Sequence, residues 1–131
     1  MGNGTSIGRV RGLGSSQHGA HHWLLQRFTA IGNLILVVWL VVSLALMSSY
    51  DYAAMQAWLS RPVPATAMIL LIISTFWHAR LGVQVFIEDY VPDHGLKFTL
   101  LAALNLLPLA GAAFGVLCVL RIALATTTGG A

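Results

Sequence analysis

Charged residues are scarce in this chain. Of its 131 residues only 8% are Asp, Glu, Lys or Arg, whereas 57% are hydrophobic. Soluble domains carry about 25% charged residues, so this chain has too few to cover a surface that faces water. Its seven Lys and Arg residues are scattered along the sequence, which argues against the clustered basic face of a nucleic-acid-binding protein. We therefore expect lipid to surround most of the chain.

Cysteine is almost absent. Cys118 is the single one, and it lies in an apolar run. One thiol cannot form an internal disulfide or a metal knuckle, and it cannot hold an iron–sulfur cluster, which needs about four thiolates. We interpret Cys118 as a small core residue. Because the sequence has no flavin motif either, the chain is not expected to be catalytic alone.

Long apolar runs, in contrast, fill most of the sequence. A membrane-spanning helix needs about 20 apolar residues, and the chain offers three such spans, at about residues 28–47, 65–87 and 98–125. The predicted fold class is an all-α membrane protein with three transmembrane helices that form part of a heteromeric helix bundle. Residues 1–27 are predicted to be an N-terminal arm and interfacial segment, and residues 126–131 a polar C-terminal tail.

The positive residues predict an orientation. With three spans, the N-terminus and the second loop share one side of the membrane. That side holds more basic residues than the other: Arg9, Arg11, Arg27 and Lys97 against Arg61 and Arg121. The positive-inside rule therefore places the N-terminus in the cytoplasm of a bacterium, at its inner membrane, in preference to the matrix of a mitochondrion. The predicted connections are loops at residues 48–64 and 88–97.

The second span carries the most informative face. His78, Gly82, Val85 and Asp89 are spaced i, i+4, i+7 and i+11, so they share one side of a helix. Gly82 leaves a notch one turn from His78, which a flat ligand or a close partner needs. Asp89 lies about 16 Å along the same face at 1.5 Å per residue, and Tyr90 follows it where the span meets water.

A histidine within a span has three interpretations. His78 can hydrogen-bond to a neighbouring helix, relay protons, or ligate haem, since neutral imidazole is a common axial ligand of iron. A low-spin haem needs two axial ligands, and no second histidine lies within a predicted span. Haem ligation would therefore require a second membrane chain.

Histidines also cluster just before the first span. His18, His21 and His22 have no cysteine near them, whereas structural zinc sites take four ligands that often include Cys. We therefore favour interfacial polar residues over a zinc site. A more specific alternative is that His21 and Arg27 bind an anionic group at the edge of the membrane.

Two further features concern packing. Gly111 and Gly115 form a G-x-x-x-G pattern, which lets another helix approach closely but is common in membrane helices. Arg80 lies within the second span, where an unpaired charge is costly. We expect its side chain to reach the headgroups, to pair with Glu88, or to pair with another subunit.

Two stretches together resemble a known family. The sequence HARLG at residues 78–82, followed by EDYV at residues 88–91, looks like the smaller hydrophobic membrane anchor subunit of succinate dehydrogenase. The sequence HHWLLQRFTAI at residues 21–31 resembles that family's entry to its first helix. The length and the three spans agree, so the resemblance covers nearly the whole chain.

The resemblance implies a role for each candidate residue. His78 would be one axial ligand of haem b, and a second membrane anchor, the cytochrome b subunit, would supply the other. Tyr90 would donate a hydrogen bond to a carbonyl of the substrate ubiquinone, and Asp89 would support that site or its proton supply. His21 and Arg27 would lie near the haem propionates. The further partners would be an iron–sulfur subunit and a flavoprotein subunit of a succinate:ubiquinone oxidoreductase.

Two other functions remain open at this stage. One is a haem-free structural anchor of a complex like fumarate reductase, with His78 only packing helices. The other is a small transporter subunit with His78 and Arg80 in a proton path, against which the short loops and the absence of an internal repeat argue.

Overall fold

The computed structural model describes residues 17–128. They form four α-helices: α1 (Gln17–Ala45), α2 (Tyr52–Leu59), α3 (Pro62–Tyr90) and α4 (His94–Thr128). The first 16 residues of the predicted N-terminal arm, and residues 129–131 of the predicted tail, lie outside this range. The later part of the predicted interfacial segment, from Gln17 onward, belongs to α1.

Three of the helices are long and apolar enough to cross a membrane. These candidate spans are Trp23–Ala45, Pro62–Tyr90 and His94–Ala125. The helix α3 begins at Pro62, whose fixed φ and missing N–H suit the first turn of a helix. The predicted all-α fold with three spans is confirmed.

The helices that the structure describes bury few side chains against one another. Among the described residues, the buried hydrophobic side chains are Leu81, Ile87 and Val119. At most 6% of the residues in any of the three spanning windows are buried. A helix that is apolar on all sides and unburied within its own chain must face lipid or another subunit, so the helices have large surfaces left for both.

Glycines bring α3 and α4 together. A Cβ atom added to Gly111 would lie 2.7 Å from Cε1 of Phe76, and one added to Gly115 would lie 3.0 Å from Cγ2 of Ile72. Ile72 and Phe76 are one helical turn apart on α3, so both glycines accept a side chain from the same face of α3. The prediction that this pattern admits a neighbouring helix is confirmed, and the neighbour belongs to the same chain.

The helix α1 packs antiparallel to α3. Thr29 contacts His78, and a Cβ atom on Gly32 would lie 3.9 Å from the hydroxyl of Ser74. As the chain advances along α1 it therefore recedes along α3. This register places the beginning of α1 at the same end of the bundle as the end of α3, where Tyr90 lies.

At the opposite end, the structure corrects one expectation. The predicted loop at residues 48–64 contains the helix α2. Asp51 caps it by accepting a hydrogen bond from the backbone N–H of Ala54 at 2.7 Å. Trp58 fixes it to α1, because its indole N–H donates to the hydroxyl of Ser43 at 3.1 Å and its ring stacks on Trp39 with centroids 6.0 Å apart.

The connection between α3 and α4 is shorter than predicted. Only residues 91–93 lie outside the two helices. The carboxylate of Asp93 accepts a hydrogen bond from the backbone N–H of Leu96 at 2.7 Å, which caps α4. Lys97 closes the turn by donating from Nζ to the backbone carbonyl of Glu88 at 2.8 Å.

Arg80 is paired within the chain. Its guanidinium donates to the side-chain carbonyl of Asn105 on α4 and lies 5.5 Å from the ring centroid of Trp77. The carboxylate of Glu88 instead accepts a hydrogen bond from Gln84 at 2.8 Å. Of the three alternatives offered for Arg80, pairing with Glu88 is therefore wrong, and Arg80 joins α3 to α4.

Candidate functional site

The candidate residues lie along one half of α3 and the facing half of α1. Because α3 is a continuous helix from Pro62 to Tyr90, the predicted face through His78, Gly82 and Asp89 is present. Asp89 and Tyr90 close the helix at the end of the bundle where α1 begins. The site thus runs from the interior of a span to one membrane surface.

His78 is half-buried and tied to α1. Its Nδ1 lies 3.0 Å from the hydroxyl oxygen of Thr29. That oxygen also lies 2.9 Å from the backbone carbonyl of Leu25 and 3.1 Å from that of Gln26. No described residue hydrogen-bonds to the other ring nitrogen of His78, Nε2. One nitrogen of the imidazole is therefore engaged in joining α1 to α3, and the other is available.

Beside His78 the chain leaves open space. A Cβ atom added to Gly82 would meet no atom within 4 Å, in contrast to Gly111 and Gly115. Gly82 is one turn from His78 toward the end of α3, so the space adjoins the histidine. No side chain of the described residues fills this notch, which leaves it for a ligand or for a neighbouring subunit.

Tyr90 and Asp89 are free at the membrane edge. The side chain of Tyr90 is 72% exposed, and its ring stacks on Phe86 with centroids 4.8 Å apart. Asp89 is exposed as well. Within residues 17–128, neither the phenol of Tyr90 nor the carboxylate of Asp89 forms a hydrogen bond. Both groups can therefore serve a molecule bound from outside the chain.

His21 and Arg27 lie near the beginning of α1 and are exposed. The guanidinium of Arg27 lies 5.2 Å from the ring centroid of Trp23. Arg27 precedes Thr29 by two residues, or about 200° around a helix, so it leaves α1 on the side away from α3. Among the described residues, no hydrogen bond joins His21 or Arg27 to His78. This chain alone does not gather these residues into one pocket.

The sequence analysis missed the polar residue of α1 that contacts His78. Thr29 touches it directly, and Asn33 lies one turn further along α1. The side-chain carbonyl oxygen of Asn33 is buried and accepts no hydrogen bond from the described residues. A polar residue inside an apolar run is a signal that the sequence does offer. Its partner, however, depends on how α1 packs against α3, and the spacing of residues in the sequence does not predict that packing.

Across the described part of the chain, no group of three or more His, Cys, Asp or Glu side chains could hold a metal ion. A metal bound at His78 would therefore need its remaining ligands from a macrocycle or from another chain. A porphyrin takes most of the coordination of its iron itself, so a single imidazole such as that of His78 would fit the chemistry of that group.

The sequence is similar to known membrane subunits. It matches the family model described as the succinate dehydrogenase/fumarate reductase transmembrane subunit over residues 1–123. It is 36% identical over 100 residues to the succinate dehydrogenase hydrophobic membrane anchor subunit of Rickettsia bellii, a match that covers 76% of this chain and 80% of that protein. The subunit of the same name from Rickettsia conorii is 35% identical over 101 residues, with 76% and 80% covered.

The similarity extends beyond that genus. The succinate dehydrogenase membrane anchor subunit of Reclinomonas americana is 33% identical over 85 residues, covering 63% of this chain and 69% of that protein. The family match over residues 1–123 includes every candidate residue from His21 to Tyr90.

Proposed function

The chain belongs to the succinate dehydrogenase/fumarate reductase transmembrane subunit family, and we propose that it supplies one axial ligand of haem b and part of a ubiquinone-reduction site. It is a membrane anchor subunit of succinate dehydrogenase, and we propose that it is not catalytic alone. The observation that carries the finer proposal is the half-buried imidazole of His78, whose Nε2 has no hydrogen-bond partner among the described residues, on a helix with open space one turn away at Gly82.

The residues around His78 fit a haem. Thr29 takes one ring nitrogen, which leaves a neutral imidazole nitrogen of the kind that ligates iron. The notch at Gly82, one helical turn from His78, gives room for a flat group on the same face of α3. A haem bound here would store and pass single electrons. Its second axial ligand would come from the second membrane anchor, because, of the residues that the structure describes, His78 is the only histidine that lies in the interior of a spanning helix.

Tyr90 and Asp89 would serve the quinone. The exposed phenol of Tyr90 would donate a hydrogen bond to a ubiquinone carbonyl, and Asp89 would support the site or its proton supply. Two electrons and two protons convert the quinone to a quinol. Tyr90 follows His78 by 12 residues, about 18 Å along α3, so the quinone would bind at the membrane edge and the haem deeper in the bundle.

His21 and Arg27 would lie near the haem propionates. A carboxylate at the membrane edge favours cationic and hydrogen-bonding partners, and both side chains are exposed at the same end of the bundle as Tyr90. Since Arg27 leaves α1 on the side away from α3, it would reach a propionate only around the edge of α1 or at the interface with the partner anchor.

The remaining partners would bind at the end that carries Tyr90. Succinate would be oxidised at the flavin of the flavoprotein subunit, and the iron–sulfur subunit would pass the electrons to the membrane face. Quinone would dock in a cleft between that subunit and the two anchors. We place this end and the N-terminus in the bacterial cytoplasm, from the excess of basic residues on that side.

The test is a reduced-minus-oxidised spectrum of the whole complex purified through this chain. We expect His78→Ala to weaken or remove the cytochrome b absorbance. His94→Ala is the matched control, because His94 is exposed in the first turn of α4, and it should leave the band unchanged. A full, unshifted band in His78→Ala would reject haem ligation by this residue.

One observation favours a second candidate, a haem-free anchor. The hydrogen bond to Thr29 already gives His78 a role in joining two helices, as it would have in an anchor without a cofactor. The same spectrum separates the two functions, because a haem-free complex would show no cytochrome band in any variant.

A further inference from the structure

The hydroxyl of Thr29 lies between the backbone of its own helix and the ring of His78. We infer that Thr29 is a positioning residue: it fixes the proton of His78 on Nδ1, so that Nε2 is the nitrogen offered to a metal. This inference rests on the proposed role of His78 as a haem ligand and adds a residue of this chain that controls it.

A threonine hydroxyl has one hydrogen to donate and lone pairs with which to accept. Two backbone carbonyl oxygens, which can only accept, lie 2.9 Å and 3.1 Å from Oγ1, those of Leu25 and Gln26. The hydrogen therefore points toward the backbone of α1, and a lone pair of Oγ1 points toward His78.

With Oγ1 accepting, the Nδ1 of His78 at 3.0 Å must carry a hydrogen to complete the bond. A neutral imidazole has one N–H, so Nε2 is then unprotonated and has a lone pair to give. The reverse tautomer would put a hydrogen on Nε2, for which the described residues provide no acceptor. Thr29 thus selects the form of His78 that a metal requires.

An acceptor on the second nitrogen holds the ring in one orientation and makes the ligand more basic. A more basic imidazole stabilises ferric iron more than ferrous iron, because it donates more charge to the more positive ion. Loss of the Thr29 hydroxyl should therefore raise the midpoint potential of a haem bound at His78.

The experiment compares three variants of the complete purified complex. Thr29→Val removes the hydroxyl and keeps the shape, whereas Thr29→Ser keeps the hydroxyl. Thr99→Val is the matched control, since Thr99 makes the same bond to the carbonyl four residues earlier, Gly95, at 3.0 Å, and hydrogen-bonds to no histidine among the described residues. Redox titration of the cytochrome b band and the haem content per complex are measured for each.

We expect Thr29→Val to weaken ferric relative to ferrous binding by about tenfold, an upward shift of about 59 mV for a one-electron couple, or to lose haem from an assembled complex. Thr29→Ser and Thr99→Val should match the unmodified complex. If Thr29→Val prevents assembly, Thr29→Ala removes the same hydroxyl without placing a methyl group against the ring of His78 and is measured in its place.

The results separate this inference from the proposed function. An unchanged potential and haem content without the hydroxyl, or a Thr29→Ser complex that behaves like Thr29→Val, would overturn the role of Thr29 alone. A cytochrome band that persists in His78→Ala would overturn haem ligation itself.

Discussion

Gly111 of α4 lies directly against the ring of Phe76 of α3, so closely that a Cβ atom at Gly111 would be 2.7 Å from Cε1 of the ring. We expect Gly111→Val to force the two helices apart or the ring out of its position. Overpacking of this kind costs about 1–3 kcal/mol. The measurement is the thermal stability of the detergent-solubilised complex.

Gly95→Ala is the control for this change. A Cβ atom there would lie 3.5 Å from the carboxylate of Asp93, an ordinary contact, so the stability should stay the same. Equal melting temperatures for Gly111→Val and the unmodified complex would mean that the close contact between α3 and α4 contributes nothing to stability.

A substitution at Gly82, unlike one at Gly111, should not disturb the packing of the helices. A side chain there meets no atom of this chain within 4 Å, so Gly82→Leu should leave the packing of α1, α3 and α4 intact. It would fill the notch next to His78, and we expect the haem content, or the amount of the second anchor that co-purifies, to fall. Haem and partner both retained in full would show that nothing occupies the notch.

The positions of the spans and the face of α3 could be predicted from the sequence. Hydropathy needs only local composition, and the spacing of His78, Gly82 and Asp89 needs only the helical period of 3.6 residues. The helix α2 escaped this reasoning because its eight residues are too few for a hydrophobic period to emerge between flanking prolines and serines. The N-cap residue Asp51 was the signal that could have revealed it.

Contacts between helices could not be predicted from the sequence. Glu88 looked like the partner of Arg80 because it lies on the same face of one helix, but eight residues span about 12 Å, and Gln84 lies between them and takes the carboxylate. Asn105 and Thr29 became visible as partners only when the helices were paired. The helical period shows which residues share a face of one helix. Only the packing of the helices shows which faces contact each other.

Tyr90 can be tested without disturbing the fold. Tyr90→Phe keeps the stacking on Phe86 and removes a hydroxyl that forms no hydrogen bond within residues 17–128. Loss of one hydrogen bond to quinone, worth about 0.5–1.5 kcal/mol, should slow quinone reduction roughly 2- to 10-fold. Succinate oxidation with an artificial electron acceptor should stay normal.

The control for Tyr90 is Tyr52→Phe, since Tyr52 is an exposed tyrosine at the opposite end of the bundle. It should leave both activities unchanged. An equal loss of quinone reduction and of the artificial-acceptor reaction in Tyr90→Phe would contradict a role in quinone binding. The defect would then affect a step that precedes electron transfer to the quinone.

Arg80 and Asn105 should behave as a coupled pair. The guanidinium of Arg80 lies in a spanning helix and donates to Asn105 on α4, so Asn105→Leu would leave a charge in an apolar setting with only the ring of Trp77 beside it. Hydrogen bonds between membrane helices are worth about 1–2 kcal/mol in model peptides, and we expect a loss of stability of about that size.

A double-mutant cycle decides whether the loss comes from this contact. Once Arg80→Leu has removed the charge, Asn105→Leu should cost much less than it does alone, because no donor is left unpaired. The thermal stabilities of the two single variants and the double variant give the coupling energy directly. Strictly additive losses would mean that Arg80 finds another partner, at the headgroups or in a neighbouring subunit, and that Asn105 does not hold α3 to α4 through it.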